Sequence, residues 1–139
     1  MDNRTNITPE TITSLAADEI FVFGSNLAGK HLGGAARTAI KWGAVMGQGV
    51  GLQGMTYAIP TMFSTVDEIK PYVASFISYA KNHPEHRFLV TKIGCGIAGF
   101  SEKEIAGLFT AVIRENIPNI RLPKEFSIII RLDEEIRNK

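Results

Sequence analysis

Apolar and polar positions along the chain follow two periods, and the switches between them mark the elements. Glu19–Phe23 (EIFVF) is a short, β-rich apolar run ending at Gly24, the pattern of a buried strand. Gly34–Trp42 (GAARTAIKW) sets Ala35, Ala36, Ala39 and Ile40 on one helical face, small enough to lie close to a sheet. Met46–Gly54 holds four glycines, and Thr56–Pro60 (TYAIP) then reads as a second strand. Ile69, Tyr72, Val73, Phe76, Ile77 and Ala80 fall at i, i+3, i+4, i+7, i+8 and i+11, the stripe of an amphipathic helix. Thr65-x-x-Glu68 has the form of a capping box, yet Pro71 fits badly beyond a first turn. A separate turn, with the main helix starting near Pro71 and closed by Pro84, satisfies both. Arg87–Ile93 (RFLVTKI) is predicted as a third strand, and Ser101-x-x-Glu104 caps a third helix reaching to about Asn116. Phe126–Leu132 (FSIIIRL) is predicted as the last strand, with Arg131–Lys139 a solvated charged tail. The β-loop-α alternation predicts a three-layer α/β/α fold with a mixed, largely parallel sheet.

Length and composition narrow this picture. At 139 residues the chain has room for one domain, 1–139, with a conventional core. A formal net charge of +1 with acids and bases intermixed gives no basic stripe for a nucleic-acid backbone. Cys95 is the sole cysteine, so an intrachain disulfide and a cysteine-built zinc site are both impossible, and no His/Asp/Glu cluster has metal-ligand spacing. No cofactor is expected. The opening MDNRTNITPE lacks the order of a signal peptide, and no apolar run approaches the ~20 residues that cross a bilayer. A soluble cytoplasmic protein with no membrane partner is expected.

Three glycine segments carry the candidate chemistry. Gly24-Ser25-Asn26-Leu27-Ala28-Gly29-Lys30 follows a strand and fits a P-loop up to its lysine. That motif then needs a Ser or Thr hydroxyl for magnesium, and this chain has His31. Gly49-Val50-Gly51-Leu52-Gln53-Gly54 is a literal G-x-G-x-x-G. The dinucleotide fingerprint needs a strand before it and a helix after, whereas the reverse holds here. A tight connection is the plainer reading; a loop covering a ligand is the other. Gly94-Cys95-Gly96-Ile97-Ala98-Gly99-Phe100 follows a strand and enters a capped helix, as Gly24–Gly34 also leads from strand to helix. Glycines there let backbone N–H groups face an anion, and each helix N-terminus adds partial positive charge. Two such loops make one phosphate cleft at the carboxyl edge of a parallel sheet, where ligands of open α/β folds bind.

At these residues the chain resembles a macrodomain, the fold that binds ADP-ribose. DEIFVFGSNLAGKHLGGAA (18–36) is similar to that family's first strand, asparagine-bearing loop and glycine-rich helix opening, and KIGCGIAGF (92–100) to its second diphosphate loop. The R-I-G-C-G-L form of the latter belongs to the branch containing DNA and terminal ADP-ribose glycohydrolases, which also has a strand ending in Pro-Thr-Lys where TYAIPT stands here. The overall string also resembles a small group of bacterial and phage macrodomain-like proteins. The resemblance implies that Asn26 contacts the distal ribose. It also implies that Gly33 and Gly34 wrap the diphosphate, with Gly24 and Ser25 among the ligand-binding residues, and that Gly94, Cys95, Gly96, Ile97, Ala98, Gly99 and Phe100 form the second phosphate loop. The branch's catalytic lysine is replaced by Met62, and the acidic residue of its human member by Ala98, so the amine nucleophile and assisting acid are both absent there.

Binding of ADP-ribose or a related adenine nucleotide is therefore expected, with ADP-ribosyl hydrolysis left open. A non-catalytic sponge or sensor and a P-loop-like phosphotransferase are the alternatives, and a nucleic acid becomes a partner only if ADP-ribosylated. Asn26 and His31 are the candidate catalytic residues; His31 has the acid–base range to touch a phosphate. Cys95 reads as a half-buried loop residue rather than a nucleophile, since no base is placed beside it. Lys30 is a candidate charge for the ligand. Trp42 reads as core, Phe100 as either core or a stacking face. His83 and His86, flanking Pro84, are expected to be solvated.

Overall fold

A computed structural model describes residues 6–138. Its sheet has the order β2-β3-β1-β4-β5, with β1 Glu19–Ser25, β2 Gly51–Gln53, β3 Thr56–Pro60, β4 Arg87–Val90 and β5 Ile120–Arg121. Only β2 runs antiparallel to its neighbour; β3, β1, β4 and β5 are parallel. The helices are α1 Gly34–Ile40, α2 Lys70–Lys81, α3 Glu102–Ala106, α4 Thr110–Arg114 and α5 Lys124–Arg137. The architecture is three-layer α/β/α around a mixed, largely parallel sheet.

Side chains of a strand alternate between faces, and the central β1 shows how the layers form. Ile20 and Val22 join Tyr57, Ile59, Phe88 and Val90 on the face covered by α2, α3, α4 and α5. Phe21 and Phe23 join Ala58 on the other face, where Ala36 and Ala39 bring α1 close. The small residues of α1 are what allow that approach. Beside β5, Ile7 makes a parallel bridge to Leu122, and the Thr8 N–H donates to the Leu122 carbonyl over 2.8 Å.

The Thr65–Pro71 conflict resolves as expected. The Glu68 carboxylate accepts from the Thr65 N–H over 3.0 Å, a single 3₁₀ turn follows at Val66–Glu68, and α2 then starts with Pro71 in its first turn. The third helix is real but broken, since a 3₁₀ turn at Gly107–Phe109 separates α3 from α4. The third strand ends at Val90, three residues early, because the chain turns tightly there: the Ile93 N–H donates to the Thr91 carbonyl over 2.7 Å. No strand was predicted at β2 or β5, which are three and two residues long.

The last predicted strand is wrong. Residues 126–132 lie inside α5, and most of the expected solvated tail is the rest of that helix. A strand would put Phe126, Ile128 and Ile130 on one face. Instead Phe126 and Ile130, four apart, are 0% and 2% exposed while Ile128 is 46% exposed. The run of three isoleucines favoured a strand by propensity, but tertiary burial at helical spacing overrides so weak a preference.

Candidate functional site

The parallel strands β3, β1 and β4 bring their carboxyl ends together at Gly24. A Cβ there would lie 3.2 Å from Thr61 Oγ1, 3.4 Å from the Gly94 nitrogen and 3.5 Å from the Ile93 Cα. The two predicted phosphate loops are thus neighbours, meeting at a point where a side chain would be closely packed.

The first loop is held from behind by the G-x-G-x-x-G stretch. The Ser25 hydroxyl donates to the Gly49 carbonyl, and the Gly47 N–H donates to the Gly29 carbonyl over 2.9 Å. Gly29 has φ +70°, and a Cβ on it would come within 2.3 Å of the Gln48 nitrogen. A Cβ on Gly49 would come within 2.1 Å of the Asn26 carbonyl oxygen. Gln53, 3% exposed, ties the rear segment together, accepting from the Val45 N–H at 2.7 Å and donating to the Gln48 carbonyl at 2.9 Å. This glycine stretch buttresses the first loop and supplies the edge strand β2. Gln53 escaped the sequence reading, which saw only the glycines around it.

Two candidate side chains have internal duties. The Asn26 side chain spans its own turn, with Oδ1 accepting from the Lys30 N–H at 2.9 Å and Nδ2 donating to the Lys30 carbonyl at 3.1 Å. His31 is 1% exposed, edge-on to Phe23. Its Nε2 lies 3.1 Å from the Gln48 carbonyl, to which it donates, and its buried Nδ1 has no hydrogen-bond partner among the described residues. Lys30 is exposed. Gly33 takes extended backbone at the N-cap of α1, a helix with neither a side-chain cap nor an acid in its first turn, and Gly34 follows.

The second loop is a compact double turn. The Gly99 N–H donates to the Gly96 carbonyl at 3.0 Å and the Phe100 N–H to the Gly94 carbonyl at 2.9 Å. Gly94, at φ +74°, leaves room for Ile105, whose Cδ1 would otherwise meet a Cβ at 2.8 Å. Phe100 packs half-buried against the core, Ala98 is half-buried, and Ile97 is 83% exposed at the tip. Burial, aided by Glu102, pushes the Cys95 thiol up to about 11, so it stays protonated at neutral pH.

The helix behind this loop carries the capping box that the sequence predicts, and the box uses the N-terminal positive end. Ser101 Oγ accepts from the Glu104 N–H at 3.1 Å, the Glu104 carboxylate accepts from the Ser101 N–H at 3.0 Å, and Glu102 adds a second acid to the turn. The positive end of α3 is therefore already occupied. Lys92 is also engaged, lying 2.8 Å from Glu102 and 3.3 Å from Glu125; hydrogen bonding to Glu102 leads the causes that raise its affinity for its proton.

Beside the loops runs a groove of about 1170 Å³. Its walls include Ile7 and Ile12 of the N-terminal segment, Phe21 of β1, Ala35 and Thr38 of α1, and Thr91 after β4. None of the predicted loop residues lines it. It opens one residue beyond Gly34 and extends to Lys92, two residues before Gly94. No local pattern announces this groove, because its lining comes from segments far apart along the chain: the N-terminal stretch, β1, α1, the end of β4 and the start of α5.

The remaining candidates separate clearly. Trp42 packs on Phe21 with ring centroids 5.0 Å apart. His83 and His86 are not simply solvated: both are half-buried, His83 stacks on Tyr79 at 3.9 Å, and His86 lies edge-on to Phe88. The turn around Pro84 folds them back onto these aromatic rings. Met62 is 51% exposed just past β3. Among the described residues there is no group of three His, Cys, Asp or Glu able to hold a metal ion, and no helix long and apolar enough to cross a membrane. No protein-family model matches the chain, and a search of curated proteins finds no match.

Proposed function

We propose that this chain binds ADP-ribose or a closely related adenine nucleotide, with the diphosphate on the two glycine loops and the nucleoside in the adjoining groove. One observation carries the reading: Gly33 and Gly96, one in each loop, are glycines the fold itself does not require. A Cβ on either meets nothing within 4 Å, and neither has a left-handed φ. Gly24, Gly29, Gly49 and Gly94, by contrast, each answer to a close neighbour. Gly107 is equally unconstrained but lies within a helical run away from the strand ends, so position at the carboxyl edge is what distinguishes the pair. A bare backbone there leaves N–H groups open to an anion. The groove is ample for a nucleoside, since ligand pockets commonly run to about 1,000 Å³. The macrodomain resemblance of 18–36 and 92–100 selects ADP-ribose within this class.

Within that reading, a non-catalytic binder, a sponge or sensor, is favoured over a hydrolase. His31 is buried with Nε2 engaged, Asn26 is committed to Lys30, the Cys95 thiol is protonated, and Met62 and Ala98 stand where the branch has its amine and acid. The phosphotransferase alternative loses support for a related reason. The residue after Lys30, which would ligate magnesium, faces the Gln48 carbonyl, and α1 starts only at Gly34.

Calorimetric titration with ADP-ribose, with ATP plus magnesium as the comparison, tests this. Saturable binding of ADP-ribose that is lost in Gly33→Glu and Gly96→Glu, both still folded, is expected. Absence of heat, or unchanged binding by both variants, overturns the assignment. Release of ADP-ribose from a modified substrate would overturn the non-catalytic reading alone.

A further inference from the structure

Among the described residues, one face of α5 has no partner. Phe126 and Ile130 turn inward, while Ile128, Leu132 and Ile136 recur every fourth residue outside, 46%, 54% and 69% exposed. Single exposed apolar residues are ordinary, but residues four apart on a helix are neighbours, so these three form a continuous stripe. Along one flank of it lie Arg131 and Glu135. Arg131 makes a 3.3 Å hydrogen bond to Ser127, and neither residue belongs to an ion pair among the described residues. On the inner side, by contrast, Glu134 is held by Arg114 at 2.9 Å.

We propose that this face is a self-association surface, on which α5 packs antiparallel against α5 of a second copy of this chain, with the two-fold axis passing at Leu132. The spacing of the stripe and the charges beside it point to a copy of the same helix. The stripe is symmetric about Leu132, so reversing its direction sets Leu132 on Leu132 and Ile128 on Ile136 of the other copy. The two-fold of an antiparallel helix pair lies perpendicular to the plane of the two axes, so each flank faces the same flank of its mate. Arg131 then lies opposite Glu135 of the second copy, offset by about 3 Å along the axis. The contact recurs by symmetry, giving two cross-copy ion pairs around an apolar seam. Three side chains cover less than the roughly 800 Å² per partner of a standard interface. The dimer is accordingly weak, dissociating on the order of 10 µM or above.

Sedimentation velocity on the full chain, over about three decades of concentration around that value, gives the test. The wild type shifts from monomer to dimer. Leu132→Glu, at an exposed position, places a charge in the seam and raises the dissociation constant by about 100-fold or more. Arg131→Glu sets like charges together and raises it by roughly tenfold; adding Glu135→Arg recovers it to within about threefold. Circular dichroism checks that each variant keeps its helix content. A wild type that stays monomeric throughout overturns the proposal, as does a dimer indifferent to Leu132→Glu. Failure of the reversed charge pair to recover overturns the antiparallel arrangement.

Discussion

Replacing Gly49 with alanine tests whether the first loop is locked to its buttress. The added methyl carbon would stand 2.1 Å from the Asn26 carbonyl oxygen and 2.8 Å from that of Leu27, both backbone atoms. Carbon-to-oxygen contacts settle at about 3.3 Å or more, so the segments must part by roughly 1 Å. That separation breaks the buried bond from the Ser25 hydroxyl to the Gly49 carbonyl and strains the 2.9 Å bond from Gly47 to Gly29. Two buried polar groups left unpaired cost about 1–3 kcal/mol each. Against this, alanine lowers the entropy of the unfolded chain by an equivalent of about 0.4–1 kcal/mol. The expected net loss is about 2–4 kcal/mol, read from urea unfolding followed by Trp42 fluorescence with an unchanged denaturant slope. Gly96→Ala is the control. It meets nothing within 4 Å and should leave stability within about 1 kcal/mol of wild type, on the favourable side if anything. A loss below about 1 kcal/mol for Gly49→Ala, or equal losses for both variants, refutes the reasoning.

Other expectations follow from the same contacts. Gln53→Ala leaves the Val45 N–H without its part-buried partner and removes one of the two donors to the Gln48 carbonyl, which keeps His31 Nε2, and should cost about 1–2 kcal/mol by the same unfolding assay. Cys95, with its thiol near 11 against an ordinary 9.0, should alkylate at pH 8 roughly 100-fold more slowly than a free thiol; fast reaction at neutral pH would mean a stabilised thiolate. Asp18 is held below its usual 3.8, chiefly by its hydrogen bond to Arg87. Its contribution is therefore present above pH 3.8 and fades as the pH falls through the lower folded value. Unfolding midpoints of Asp18→Asn should fall below wild type at neutral pH and converge with it in strong acid, whereas a constant gap would contradict the pairing.

The parts of the fold legible in the sequence are those where one local rule acts alone. The buried run at β1, the five-residue β3 and the periodic α2 with its separate first turn all follow from spacing and proline chemistry. The isoleucines of α5 misled because an apolar run of that length fits either a buried strand or a helix, and only its packing partners decide. At the site, the strand-to-helix context located both loops but not what each glycine does. Gly49 and Gly29 answer to backbone far along the chain, while Gly33 and Gly96 answer to nothing among the described residues, and no local pattern separates the two kinds. His31 and Asn26 read as free chemistry because their partners, the Gln48 carbonyl and the Lys30 peptide, are backbone groups that sequence does not display.

The central claim is that the two loops and the groove beside them form one nucleotide site. Titrating the ¹⁵N-labelled protein with ADP-ribose and following its amide resonances tests this most directly. The account predicts saturable shifts at Gly33, Gly34, Gly96 and Gly99 together with Ile12, Ala35 and Thr91 along the groove, while Val73 and Ile77 of the distant α2 stay fixed. A spectrum that does not move, or shifts confined to residues outside both loops, would contradict it.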